Sequence, residues 1–375
     1  MSRDDHLWHI EEDFLSKDRK ASRKERKLAS SKDRSKFKKT DQDQLKKQQG
    51  TAESYEHLAR GRVLAILPEG IFVSKDGKEC LCSLKGALKK DKNRIKNLVA
   101  VGDFVRFEEK GSEQGTIVSI EDRHSILSRA DNLSRNKEQL IAVNIDQVFI
   151  TTSVVLPRLK TFLVDRYIIA AQKGNMEPII VINKIDLLQS PPEEIDAAIL
   201  TEEQELYEEF LKTYRSLNFT VLPVSVETKK GIEELKAAMH GKTSVFSGQS
   251  GVGKSSLINI LTGSNLTTGS VVQRTRKGSH TTTTTHLIPL EGGGFCIDTP
   301  GIKSFGLWDL QTDEIAAYFH EIFALRDKCK FPDCSHLNEP DCAVKKAVEE
   351  NKISPLRFAS YCALMSSLSQ EHRHR

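Results

Sequence analysis

No apolar run in this 375-residue chain approaches the roughly 20 residues that a membrane helix requires, and no signal peptide is recognisable at its start. Membrane spanning and secretion are set aside, and a cytoplasmic location is expected. The seven cysteines are odd in number and partly clustered, unlike an extracellular disulfide framework, and they suit a reducing compartment. Net charge is also modest, +4 from 56 Lys/Arg and 52 Asp/Glu, and it conceals an asymmetry. The excess is local: residues 1–50 hold 15 Lys/Arg against 10 Asp/Glu, and 17–39 hold 12 against Asp18, Glu25 and Asp33. Residues 1–57 are poor in aliphatic side chains and are expected to be a basic, disordered extension. Either a solvated tail or an arm that orders on RNA phosphates fits that composition.

From Gly61 the texture changes to short β-rich runs at 62–67, 71–75, 79–84, 103–108 and 116–120. Five strands in so short a span suggest a small barrel over 58–125, OB-like or SH3-like. Lys85, Lys89, Lys90, Lys92, Arg94 and Lys96 would present a basic loop between its third and fourth strands. Aromatics are scarce there, with Tyr55, Phe72, Phe104 and Phe107 only, so nucleic-acid contact would favour backbone or shape over base readout.

After a connector at 123–140, strands are expected at 147–154, 178–182, 219–224 and 243–246, with helices at 162–172, 232–239 and 254–261. Such alternation implies a mostly parallel sheet with ligand loops at the strands' carboxyl ends. Two motifs fall at those ends in an unusual order. Asn183-Lys184-Ile185-Asp186, a guanine-recognition pattern, precedes the phosphate-binding pattern Gly248-Gln249-Ser250-Gly251-Val252-Gly253-Lys254-Ser255. Together with Asp298-Thr299-Pro300-Gly301, they serve separate parts of one nucleotide, and the inversion points to a circularly permuted GTPase domain over 126–311.

A triphosphate needs many donors in a tight curve, so backbone N–H groups from Gly248 through Ser256 would cradle it while Lys254 neutralises the β and γ oxygens. Asp186 offers two acceptors to the N1–H and amine of guanine, Asn183 and Lys184 would brace the loop, and Ser225 sits where a second guanine-contacting loop is expected. Magnesium is assigned to Ser255, Asp298 and a threonine from 281–285, with Thr282 favoured over Thr283. Gly301 would turn its N–H to the γ-phosphate. The glutamine that often follows such a glycine is missing: Ile302 stands there, and His280 is the candidate for orienting water, with packing or RNA contact as the other reading.

The last third carries Cys329-x4-Cys334-x-His336-x5-Cys342, three thiolates and an imidazole that match a closed tetrahedral zinc site. Reduced free cysteines or a redox centre are the other readings. A zinc-binding helical domain is expected over 312–375. The fold class is thus multidomain α/β: an OB-like β-barrel, a circularly permuted P-loop GTPase domain and a zinc-binding helical domain.

This succession of barrel, permuted motifs and Cys-x4-Cys-x-His-x5-Cys module resembles the RsgA (YjeQ/EngC) family of small ribosomal subunit biogenesis GTPases over roughly residues 58–370. The family's Gly-Arg-His-Thr-Thr-Thr pattern reads Gly278-Ser279-His280-Thr281-Thr282-Thr283 here, with Ser279 in place of the arginine. The resemblance implies a GTP hydrolase with Mg2+ and one structural Zn2+ that binds the small ribosomal subunit through rRNA, its hydrolysis stimulated by that subunit. GTP and GDP are its nucleotides, and a monomer is expected. Two alternatives are an RNA-binding assembly factor with GTP as a passive clamp, and a GTPase acting on tRNA or a protein target.

Overall fold

The computed structural model describes residues 55, 57–86, 98–111, 113–130, 138–263, 285–298 and 312–373. The N-terminal extension, Lys89 to Lys96 of the basic segment, His280, Thr281, Thr282, Thr283, Gly301 and Ile302 lie outside them, as does the side chain of Asp298.

Alternating apolar and polar side chains over β1 (Ala59–Leu67), β2 (Gly70–Lys75), β3 (Lys78–Leu84), β4 (Phe104–Glu109) and β5 (Gln114–Ile120) give each strand one buried face. The five close on themselves in the order β1-β2-β3-β5-β4, with β4 returning to β1. Only β3 and β5 run parallel in this barrel. Val63, Val73, Val105, Phe107 and Ile117 fill its interior.

The expected connector contains a hairpin instead: β6 (Ile126–Ala130) pairs antiparallel with β7 (Glu138–Val143). Leu127 and Ala142 of this pair are buried in the main core, which explains why the chain becomes regular there.

Next come β8 (Gln147–Ser153), α1 (Thr161–Lys173), β9 (Glu177–Asn183), α2 (Ala197–Ser216), β10 (Thr220–Pro223), α3 (Ile232–Met239), β11 (Thr243–Ser247) and α4 (Lys254–Thr262). All seven residues of β8 are buried, as a strand covered on both faces requires. Helix α2, which the strand pattern does not signal, starts where the Asp196 carboxylate accepts the Ala198 N–H. The sheet continues through β12 (His286–Pro289) and β13 (Phe295–Asp298), in the order β10-β9-β8-β11-β13-β12. Every neighbouring pair is parallel except β12 with β13.

Barrel and sheet are continuous, because Ala65 of β1 faces His286 of β12. Arg62 reinforces the junction: its guanidinium donates to the Asn144 carbonyl (2.9 Å) and to Thr243 Oγ1 (2.8 Å). It also lies over the rings of Phe104 and Phe295, one from each side of the joint.

Among the described residues, four further helices follow: α5 (Thr312–Tyr318), α6 (His320–Phe323), α7 (Ala343–Glu349) and α8 (Pro355–Arg373). Ile315, Phe319, Ile322, Val344, Leu356 and Tyr361 belong to the same apolar cluster as Tyr167, Ile168, Phe210 and Tyr214 of α1 and α2. At the centre of that interface Arg357 meets Asp165, and both are buried.

Candidate nucleotide site and metal centre

The chain leaves β8 toward β9 on one side, while β11 joins β8 on the other. Such a reversal opens a crevice at the strands' carboxyl ends, where open α/β sheets bind ligands. Both nucleotide motifs end up there. Asn183 closes β9 and Gly248 follows β11, only one strand apart although well separated in sequence.

Contacts between the motifs are direct. Asn183 Nδ2 donates to the carbonyl of Val252 in the phosphate loop at 2.9 Å. Gly253, at φ 94°, would place a Cβ 2.3 Å from that same Nδ2, so glycine is required for the approach. Gly248 is equally constrained, since its Cβ would fall 2.0 Å from the Thr151 carbonyl oxygen of β8. Helix α4 begins at Lys254, so the loop's N–H groups gather at a helix start. Lys254 Nζ donates to the carbonyls of Gly248 (2.7 Å) and Gln249 (2.6 Å), which holds its charge over the loop. Ser250, Gly251, Ser255 and Ser256 are exposed, and Val252 is buried beneath them.

Beside this loop, Lys184 takes a left-handed conformation and Ile185–Leu188 turns as a short 3-10 helix carrying Asp186. Lys184 Nζ donates to the Leu156 carbonyl at 2.6 Å, so it braces the segment after β8 rather than the phosphate loop itself. The second expected guanine loop lies alongside: the Ile185 N–H donates to the Val224 carbonyl, and Ser225 Oγ accepts the Thr228 N–H at 3.0 Å. Asp298 ends β13 next to β11, which puts its backbone on the phosphate side of the crevice.

The four metal-ligating candidates also converge. Cys329 Sγ lies 3.8 Å from Cys342 Sγ, and His336 Nδ1 lies 3.5 and 3.4 Å from those two sulfurs. With Cys334 Sγ included, all four atoms fall within 4.8 Å of one another. Sulfurs around a tetrahedral zinc at ~2.3 Å sit roughly 3.8 Å apart, so the donor set fits that ion. Burial lowers the His336 pKa and so favours the neutral, ligating imidazole. Burial first, then the neighbouring Cys342 and Cys329, pushes the Cys334 thiol up to about 12, so its thiolate needs a cation beside it. Around the cluster, Tyr361 of α8 donates to the Ser335 carbonyl at 3.0 Å. Ser335 in turn donates to Glu339, whose carboxyl is held at about 2 by such hydrogen bonds against the opposing effect of burial.

A family model described as RsgA GTPase matches residues 120–308. The protein named small ribosomal subunit biogenesis GTPase RsgA from Chlorobaculum parvum is 42% identical over 287 residues, covering 74% of this chain and 88% of its own. The chain belongs to the RsgA family. The RsgA of Actinobacillus succinogenes is 40% identical over 283 residues, covering 74% of this chain and 77% of its own. The crystal structure of YjeQ from Thermotoga maritima superposes with a TM-score of 0.65 at 31% identity, over 83% of this chain and 98% of that one. YloQ, described as a circularly permuted GTPase, gives 0.63 at 28% identity, over 84% and 96%. The permuted fold and the GTPase class read from the motif order are therefore those of RsgA proteins, and this RsgA-family chain is a GTP hydrolase.

Several side chains that shape this RsgA architecture carried no motif. Glu203 on α2 has a fully buried carboxylate, and Arg357 is buried against Asp165. Charged residues inside a helix look like solvated ones until the partner helix is known.

Proposed function

We propose that this GTPase engages the small ribosomal subunit through rRNA, assists its late maturation, and is stimulated by the subunit to hydrolyse GTP and leave. The juxtaposition of the Asn183 and Gly248 loops on one sheet edge carries the nucleotide part of this reading. The relatives' shared name supports the ribosomal part. The working units are taken as 58–125 for the barrel, 126–311 for the GTPase and 312–375 for the zinc module, with 1–57 as an extension, in a cytoplasmic monomer.

In this reading Asp186 and Ser225 read guanine, Asn183 fixes the loop that receives the phosphates, and residues 248–256 donate their N–H groups. Lys254 compensates the β- and γ-phosphate charge. Ser255, Asp298 and Thr282 hold magnesium, which supplies further charge neutralisation at the leaving oxygens. Gly301 senses the γ-phosphate. Because Ile302 cannot orient water, His280 takes that role when the subunit is bound. Unaided turnover is accordingly slow.

Barrel and zinc module would both grip RNA, the barrel fastened to the edge of the GTPase sheet by Arg62 and the zinc module fastened to helix α1 by Arg357. GTP turnover measured with and without isolated small subunits tests the proposal. Strong stimulation that His280→Ala abolishes, with GTP-dependent subunit binding retained, is the expected outcome. Absence of stimulation would favour a passive GTP clamp.

A further inference from the structure

One buried carboxylate stands behind the nucleotide pocket without belonging to any nucleotide motif. Glu203, on α2, is wholly excluded from solvent. Its Oε2 accepts the backbone N–H groups of Val155 (3.1 Å) and Leu159 (3.2 Å), and its Oε1 accepts Arg158 Nε at 2.7 Å. Three donors from one five-residue stretch thus converge on a single side chain. Ser153 Oγ closes the same stretch by donating to the Pro157 carbonyl at 2.7 Å. Inside it Val155 has φ 67°, a left-handed conformation that a β-branched residue adopts only when its surroundings impose it.

What this stretch touches gives the carboxylate its meaning. The Leu156 carbonyl accepts Lys184 Nζ at 2.6 Å, and Lys184 adjoins Asn183 and Asp186 in the guanine motif. Pro157 Cδ lies 3.7 Å from the position a Gly251 Cβ would take, against the phosphate loop. Residues 155–159 therefore fill the wedge between the two nucleotide loops, and Glu203 fixes where that wedge stands.

We infer that Glu203 is a positioning residue for the guanine nucleotide, acting through the Leu156 carbonyl on Lys184. The inference rests on the proposed guanine pocket. Without Glu203 two buried N–H groups lose their acceptor and Val155 loses the contact that holds its left-handed turn. Lys184 would then lose its fixed partner, and bound nucleotide would escape faster.

The test is the release rate of fluorescently labelled GDP from the full chain, measured by stopped flow for Lys184→Met, Glu203→Ala and the double variant. Each single change is expected to speed release about tenfold, the effect of one lost charge-assisted or buried hydrogen bond. Because both act through the same contact, the double variant should release no more than about threefold faster than Lys184→Met alone. Release accelerated about a hundredfold in the double variant would mean independent effects and overturn the inference. Unchanged release in Lys184→Met would overturn the inference as well, whereas unchanged GTP preference in Asp186→Asn would refute the guanine-pocket reading on which it rests. Should Glu203→Ala fail to fold, Glu203→Gln keeps an acceptor for the two N–H groups and loses the charge facing Arg158. Release about threefold faster, again absorbed by Lys184→Met, is then expected. A wild-type rate in Glu203→Gln would confine Glu203 to folding.

Discussion

Replacing Arg357 by Met should detach the zinc module from helices α1 and α2 of the GTPase domain more than any other single change at that interface. The Arg357 guanidinium is bonded to Asp165 and, at 2.7 Å, to Glu321, while Tyr214 donates to the same Asp165 oxygen at 2.8 Å. Phe319 lies under the guanidinium at 4.2 Å, and Tyr214 and Phe219 flank it. Burial alone would lower the Arg357 pKa, but Asp165, Tyr214 and Glu321 outweigh it and keep the group charged. Removing one partner of such a pair costs about 3–5 kcal/mol, because the other charge stays buried and uncompensated. That corresponds to a loss of roughly two to four orders of magnitude in hydrogen-exchange protection for residues 355–367, read by mass spectrometry.

A pH signature accompanies the loss. Burial already pushes the Asp165 carboxyl upward, with Arg357 as the main opposing influence. In Arg357→Met the folded-state pKa of this carboxyl rises further above its unfolded value, so the folded form must hold a proton or pay the cost of charge. The deficit relative to wild type should therefore grow as pH rises through the wild-type folded pKa of Asp165, itself above the ordinary carboxylate range, and shrink toward acid. Pairing Arg357→Met with Asp165→Asn should recover part of it, since no charge is stranded. A loss of less than about 1 kcal/mol, or the same loss in the single and double variants, would refute the reasoning.

Gly253→Ala should weaken GTP binding by about tenfold or more, through left-handed strain and the clash with Asn183; wild-type affinity by calorimetry would contradict the loop clamp. Asp186→Asn should weaken GTP by about two orders of magnitude and relatively favour xanthosine triphosphate, whose base presents a carbonyl where guanine has its amine; a competition assay with unchanged preference would transfer base reading elsewhere. Purified protein should hold about one zinc per chain. Cys334→Ala or a strong chelator should raise hydrogen exchange across 329–353 and spare 147–263, and a metal-free chain with protected 329–353 would remove the structural role of the cluster.

The sequence by itself determined those features that are local or combinatorial. The apolar run 178–182 announces a buried strand, the phosphate and guanine motifs each place their chemistry within a few bonds, and the spacing of Cys329, Cys334, His336 and Cys342 lies within reach of one ion. Motif order alone was enough to imply permutation, because two loops that serve one nucleotide must meet whatever their order in the chain. The hairpin formed by β6 and β7 escaped notice because its regularity depends on burying Leu127 and Ala142 against distant residues, not on local turn chemistry. Helix α2 carries no motif, and only the fold reveals that Glu203 in it is buried. The same holds for Arg62, Asp165 and Arg357, whose partners lie 181 and 192 residues away. A charged side chain is ordinarily solvated, and it becomes structural only where a partner brought in by tertiary packing meets the cost of leaving water.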